Sequence, residues 1–374
     1  MNKLHIYNEI TQQPELWKRV LKEVAAKKEL LLNYFDKVLD SNSEVIFTGA
    51  GSSFFVGEMV AGYFQEMTGY SSRAVSSTEI VTHPTQYIPK NKSALLVSFA
   101  RSGNSPESVA AVNLAQQVNS NLAHLIITCN REGELAISKS LNNRFVFLLP
   151  EEANDKALAM TSSVTSMALV AVLLANLKNI ELLEESINKM ALMAESVISE
   201  YYAKLEKIAA KPFERAVFLG SGPFYGLARE AHLKLQEMTD GQLISKFDSF
   251  LGFRHGPKAV VNDKTLIVYF LSSNDYVGKY EHDLIEAVKN DKTNAYTIGI
   301  GTQKHENTDF DLLIKTANGD NCIDDIFLML VYLLPVQLFS VYKAINYNLD
   351  PDAPSRNGTI HRVVQGVKIY EYKS

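Results

Sequence analysis

Cysteine is nearly absent, with two residues in a chain of 374, so a disulfide framework cannot be what holds the molecule together. Cys129 follows the apolar run Leu125-Ile126-Ile127 and Cys322 opens an apolar helix; both are expected as buried free thiols. Positive charge is not in excess either, since 37 Lys and Arg stand against 42 Asp and Glu. With no basic run, nucleic acid is not an expected partner, and any anion must be held by local geometry. The opening MNKLHIYNEI lacks a charged start followed by an apolar stretch, so no secretory signal is expected. No apolar run suits a membrane span. Val164 to Leu177 is too short, and Ile326 to Tyr342 is interrupted by Pro335 and Gln337. Both read as helices packed on a sheet. These absences predict a soluble, cytoplasmic protein with no membrane partner.

What is present is ordinary globular material. Hydrophobic residues make up 46% and charged residues 21%, which supports a large core without staples, and the length suits two domains. Residues 1–42 carry a helical pattern, with Leu16, Val20, Leu21 and Val24 following Pro14, then Leu30, Leu31 and Tyr34. Strands and helices then alternate. Strands are expected at Glu44–Thr48, Ala94–Phe99, Leu122–Thr128 and Phe145–Leu149, and Pro106 is placed to start a helix. Such alternation predicts a parallel sheet with helices on both faces.

The second half repeats the first. Gly220-Ser221-Gly222 follows the strand Ala216–Leu219 as Gly49-Ala50-Gly51 follows its own, an offset of 171 residues. The same 171 residues separate Phe99, which ends one strand, from Phe270, which ends Leu266–Phe270. One offset at two separated strand ends predicts a duplicated α/β unit. A boundary is expected near residues 200–212, where a charged helix ends before Lys211-Pro212.

In a parallel α/β sheet, ligands bind beyond the carboxyl ends of the strands. Two such ends in the first half carry small polar residues: Gly51, Ser52 and Ser53 at one helix start, and Ser102, Gly103 and Ser105 at the next. Helix N-termini offer unpaired N–H groups and a positive dipole end, glycine lets the backbone approach, and hydroxyls add donors. Arg101 adds charge, so phosphate is the natural ligand. Either loop alone also reads as an ordinary turn or cap. In the second half the corresponding loop is Leu271-Ser272-Ser273-Asn274-Asp275-Tyr276, and Asp275 falls opposite Ser105, where it would repel an anion. One phosphate site per chain is therefore expected.

On the predicted helix Pro223–Thr239, Lys234 and Glu237 share a face at i, i+3. A lysine beside a carboxylate favours the charged form that a general base needs, although surface helices often carry such pairs. His255, in Phe253-Arg254-His255-Gly256-Pro257, is of the residue type that moves protons near neutral pH, or is equally a histidine fixed in a turn.

GAGSS at 49–53, SGNSPES at 102–108, LKLQEM at 233–238 and FRHGP at 253–257 resemble the landmark motifs of sugar isomerase (SIS) domains. The arrangement is similar to the isomerase half of glucosamine-6-phosphate synthase, and more closely to the AgaS family of tagatose-6-phosphate ketose/aldose isomerases and galactosamine-6-phosphate deaminases. The resemblance covers nearly the whole chain, including Ala159-Met160-Thr161-Ser162-Ser163 and the RVVQG tail. It implies an α/β fold of two tandem SIS domains, each a flavodoxin-like or Rossmann-like three-layer parallel sheet flanked by helices. The implied layout is a helical segment over 1–42, SIS domain 1 over 43–200, SIS domain 2 over 201–345 and a tail over the active site at 346–374. The resemblance also implies phosphate or substrate binding by Gly51, Ser52, Ser53, Arg101, Ser102, Ser105, Thr161 and Ser162. Glu237 would be the isomerisation base, Lys234 its charged neighbour, and His255 the ring-opening histidine donated across a homodimer interface. Two departures stand out: Arg101 replaces the synthase's glutamine and Ala100 its serine. The tail has no lysine at the synthase's Schiff-base position, where Lys368 is the only one nearby, so non-covalent proton transfer is expected. No N-terminal cysteine nucleophile follows Met1, so glutamine-dependent transfer is not expected.

The implied chemistry needs no metal and no cofactor. A base that moves the C2 proton to C1 isomerises a 2-hydroxy sugar phosphate; with an amine at C2 the same shift gives an imine, from which water releases ammonia. The expectation is conversion of galactosamine-6-phosphate to tagatose-6-phosphate and ammonia. The alternatives are a simple tagatose-6-phosphate-type isomerase and a non-catalytic regulator that senses a sugar phosphate. A regulator would have no need of Glu237 and His255 together.

Overall fold

Short β-branched and aromatic runs form the central strands. In the computed structural model, which describes residues 3–291, 293–317 and 323–372, the strand Glu44–Gly49 is buried along nearly its whole length, and Ala94–Ala100 along all of it. Strands buried on both faces belong inside a parallel sheet. Cys322 lies outside the described residues.

The chain packs as two units. The first is Glu15–Glu184 with Gly358–Ser374; the second is Met1–Pro14 with Glu185–Asn357. The helices before the first sheet are α1 (His5–Thr11), α2 (Gln13–Ala26) and α3 (Lys28–Val38). The first unit continues with β1 (Glu44–Gly49), α4 (Ser52–Thr68), β2 (Ser71–Ser76), α5 (Ser77–Thr82), α6 (Pro84–Tyr87), β3 (Ala94–Ala100), α7 (Pro106–Val118), β4 (Ala123–Thr128), α8 (Glu134–Ile137), β5 (Arg144–Leu148) and α9 (Ser162–Ala175). After α10 (Glu184–Ala209), the second unit runs β6 (Arg215–Leu219), α11 (Pro223–Met238), β7 (Ile244–Asp248), α12 (Phe250–Phe253), β8 (Thr265–Phe270), α13 (Asp275–Lys289), β9 (Tyr296–Gly301), β10 (Leu312–Lys315) and α14 (Asp325–Asn346).

Each unit holds one five-stranded parallel sheet, ordered β2-β1-β3-β4-β5 and β7-β6-β8-β9-β10. The orders are the same when each set is counted from its own first strand, and the register repeats too. Glu44 faces Ala94 in one sheet, and Arg215 faces Thr265, 171 residues on, in the other. Phe47 stacks on Phe99 at 5.9 Å with the rings 8° apart, and Phe218 on Phe270 at 6.3 Å and 14°. Gly51 and Gly222 share φ near +55° to +58° with ψ near −130°. A Cβ on Gly49 would meet the Ser53 backbone at 2.6 Å, and one on Gly220 the Phe224 backbone at 2.2 Å. The duplication is therefore carried by packing and by the strand-to-helix turn.

Four strands carried no sequence signal strong enough to predict: β2, β7, β9 and β10. β2 lies at a sheet edge and is mostly half-exposed, with the sequence SSRAVS, so neither an apolar run nor clean alternation marks it. The segment Arg362–Val367 forms no strand. It takes up positive φ at Gly366, +76°, and its backbone joins no ladder.

The two apolar stretches are core helices. α9 is buried at every position and packs on α4, while α14 packs on α11. Among the described residues, α14 is the one helix long and apolar enough to cross a membrane, and 94% of that apolar stretch is buried inside the protein. In the first unit Ile46, Leu96, Ile126, Ala111 and Ala115 form one face of the core. In the second, Val217, Ile267, Tyr269, Leu284 and Val288 do so. Each large side chain so buried contributes roughly 1.5–3 kcal/mol.

Candidate functional site

In the first unit, the turns after β1 and β3 end in helix N-termini. Ser52 and Ser53 are the first residues of α4, both buried, and the Ser53 hydroxyl lies 3.9 Å from the Met160 sulfur. Gly51 precedes the helix without a side-chain cap. Ser105 is the N-cap of α7, yet its hydroxyl does not cap that helix, and Pro106 at the first position has no N–H to offer. Ser102 accepts from the Asn104 N–H at 3.2 Å, and its carbonyl accepts from the Asn130 side chain at 2.8 Å. Gly103 adopts φ +67°, a conformation that glycine takes at least cost. These termini can receive an anion.

Thr161 and Ser162 are fully buried and already committed. The Asp155 carboxylate, also fully buried, accepts from the backbone N–H of Thr161, Ser162 and Ser163 at 2.9 Å each and from the Thr161 hydroxyl at 3.0 Å. The N-terminus of α9 is thus satisfied by the protein's own carboxylate. Arg101 is buried, and its guanidinium donates to the carbonyls of Ala157, Leu158 and, in the tail, Arg362. Cys129 is a free thiol in a half-buried residue; burial, then the Asp155 charge, pushes its pKa up. It is accordingly a poor nucleophile.

The corresponding loop of the second unit is closed, and the reason differs from the expected one. Asn274, not Asp275, holds the position equivalent to Ser105, and its side chain accepts from the N–H groups of Tyr276 and Val277. Asp275 is the first helical residue and pairs with Lys304. The loop is filled by the Asp325 carboxylate, which accepts from the Ser273 N–H at 2.8 Å, the Ser273 hydroxyl at 2.7 Å and the Ser272 hydroxyl. A second carboxyl group, that of Glu281, accepts from the Ser272 N–H at 3.0 Å.

Helix α11 carries the acid–base candidates. Lys234 is buried, with Nζ 3.2 Å from Glu230 and 3.3 Å from Glu237. Burial alone would lower its pKa; the two carboxylates outweigh burial and raise it. The Glu230 side chain is fully buried, whereas that of Glu237 keeps 18% exposure. Of the two carboxylates, Glu237 is the one a substrate can reach. Glu230 was missed by sequence reasoning, although it lies four residues before Lys234 on the same helix face, a spacing that marks a neighbour. His255 sits between α12 and the turn Pro257–Val260 and is exposed. In the tail, Lys368 lies over the Tyr370 ring at 4.9 Å.

A SIS domain model matches residues 38–177. The D-galactosamine-6-phosphate deaminase AgaS of Shewanella sp. strain ANA-3 is 37% identical, over 97% of this chain and 91% of its own length. The chain belongs to the AgaS family. Two solved structures extend the likeness. The tagatose-6-phosphate ketose/aldose isomerase from Escherichia coli superposes with a TM-score of 0.90 at 34% identity, over 99% of this chain and 97% of its own. A protein from Clostridium novyi NT provisionally assigned the same activity gives 0.95 at 38% identity, over 98% of this chain and 95% of its own. Relatives of this chain are thus named for two activities, galactosamine-6-phosphate deaminase and tagatose-6-phosphate ketose/aldose isomerase.

Proposed function

We propose that this chain converts galactosamine-6-phosphate and water to tagatose-6-phosphate and ammonia. It is a sugar-phosphate enzyme of the deaminase/isomerase type. The observation that carries the residue assignment is the Glu230–Lys234–Glu237 row on α11, in which Glu237 alone keeps an exposed edge. In this reading Glu237 takes the C2 proton of the open-chain sugar and returns it at C1, passing through an enol amine. The resulting imine at C2 is attacked by water, and ammonia leaves. Lys234 holds Glu237 in place through their 3.3 Å ion pair. His255 assists ring opening. Gly51, Ser52, Ser53, Ser102 and Ser105 receive the phosphate, Arg101 lends positive potential beneath that loop, and Thr161 and Ser162 shape its floor through Asp155.

The protein acts in the cytoplasm as a homodimer, with His255 completing a neighbour's site; its exposure suits that role. Ser272 and Ser273, occupied by Asp325, take no part in phosphate binding.

The deciding experiment incubates the protein with galactosamine-6-phosphate and follows ammonia and ketose phosphate together. Both products in equal amounts support deamination. A second reading, simple aldose–ketose isomerisation, is favoured by the Escherichia coli relative; turnover of tagatose-6-phosphate without ammonia release from the amino sugar would select it.

A further inference from the structure

The guanidinium of Arg101 joins three segments of the first unit. Arg101 directly follows β3 and directly precedes Ser102 and Gly103, and it is 7% exposed. One terminal nitrogen donates to the carbonyls of Ala157 and Leu158 at 3.2 and 3.0 Å. The other donates to the carbonyl of Arg362 at 2.8 Å. Arg362 reaches back, with Nε on the Asp155 carbonyl at 2.8 Å and a terminal nitrogen on the Asn154 side chain at 2.5 Å. The two arginines therefore cross-link the same place from opposite sides. The described residues of the tail they hold form no helix or strand, and Ile360, Val364 and Tyr370 are exposed, so apolar packing does little to seat it.

We propose that Arg101 is a positioning residue that latches the C-terminal tail to the β3–α7 loop, so that one side chain sets both the shape of that loop and the seat of the tail. A guanidinium suits this task because it presents five donors in a rigid plane and keeps its charge. A lysine has a single ammonium centre and cannot reproduce the fork. The catalytic consequence rests on the loop's proposed role in phosphate binding; the latch itself does not.

The test compares wild type with Arg101→Gln, Arg101→Lys, Arg362→Ala and the double variant Arg101→Gln/Arg362→Ala. Tail cleavage by proteinase K, followed by intact mass, reads the latch. Each single variant is expected to lose its tail roughly tenfold faster or more, as removal of a charge-assisted hydrogen bond from a local opening equilibrium implies. Because both side chains serve one latch, the double variant should exceed the faster single by no more than about twofold. The effects on kcat/KM with galactosamine-6-phosphate should be non-additive in the same way. Wild-type cleavage rates in Arg101→Gln and Arg362→Ala, wild-type tail protection in Arg101→Lys, or additive effects in the double variant would each overturn the latch. Should Arg101→Gln fail to fold, Arg101→Lys tests the fork directly, and Arg362→Ala tests the tail's seat through its own bonds to Asp155 and Asn154. Should wild type not turn over galactosamine-6-phosphate, the functional reading fails, while the cleavage rates still decide the latch.

Discussion

Replacing Glu281 with glutamine should make the second unit more stable at alkaline pH and leave it nearly unchanged at acid pH. Glu281, on α13, is 1% exposed; one carboxyl oxygen accepts from the Ser272 N–H and the other has no partner among the described residues. Burial, reinforced by the nearby Asp325 carboxylate and opposed by the Ser272 N–H and Lys304, pushes its pKa from 4.5 up to about 8. Between those values the unfolded chain has lost the proton that the native state still holds. Stability is therefore fully present below pH 4.5 and falls as pH rises through 8. At about 1.4 kcal/mol per pH unit, the whole window costs on the order of 4–5 kcal/mol. Glutamine keeps the shape and the acceptor for Ser272 but has no proton to lose. For a unit of this size the gain corresponds to roughly 10 °C in Tm at pH 9 and close to zero near pH 4.5. Thermal unfolding of both proteins across pH 4.5–9 measures it. Parallel Tm-against-pH curves for wild type and variant would refute the reasoning, because they would show that the buried carboxyl does not account for the slope.

The remaining predictions concern the candidate site. Glu237→Gln should bind the sugar phosphate but lose about 10²–10⁴-fold in turnover, together with exchange of the C2 hydrogen with solvent; persistent exchange removes Glu237 from the role. Borohydride should trap no substrate adduct on Lys368 or any other lysine, and a reduced adduct found by mass spectrometry would mean covalent chemistry. Lys234→Met should destabilise the fold by about 3–5 kcal/mol in denaturant unfolding, because it leaves Glu230 buried without its ammonium partner. Ser102→Ala should weaken sugar-phosphate binding by roughly tenfold to a hundredfold in calorimetry, the span of a charge-assisted hydrogen bond. Inactive Glu237→Gln and His255→Ala chains, mixed under conditions where subunits exchange, should regain activity; exchange without recovery counts against the shared site.

Much of the fold was legible because its signals are local. Apolar runs marked β1, β3, β6 and β8, those of β1 and β6 closing on a glycine, and the 171-residue offset marked the duplication. Both reflect a turn in which backbone meets backbone, at Gly49 and again at Gly220, where any side chain would collide. The edge strand β2 was not legible, since a half-exposed strand has no need of an apolar run. For the candidate site, the sequence by itself determined which residue types stand at the strand ends and that Lys234 and Glu237 share a helix face. Only the tertiary structure decided how their donors and charges are spent. Asp325 stands far along the chain from Ser272, and Asp155 and Arg362 far from each other, yet each pair meets across packed segments. Hydrogen bonds of that kind depend on how elements pack and not on spacing along the chain. For that reason the closure of the second loop and the turning of Arg101 toward the tail could be read only once the chain was folded.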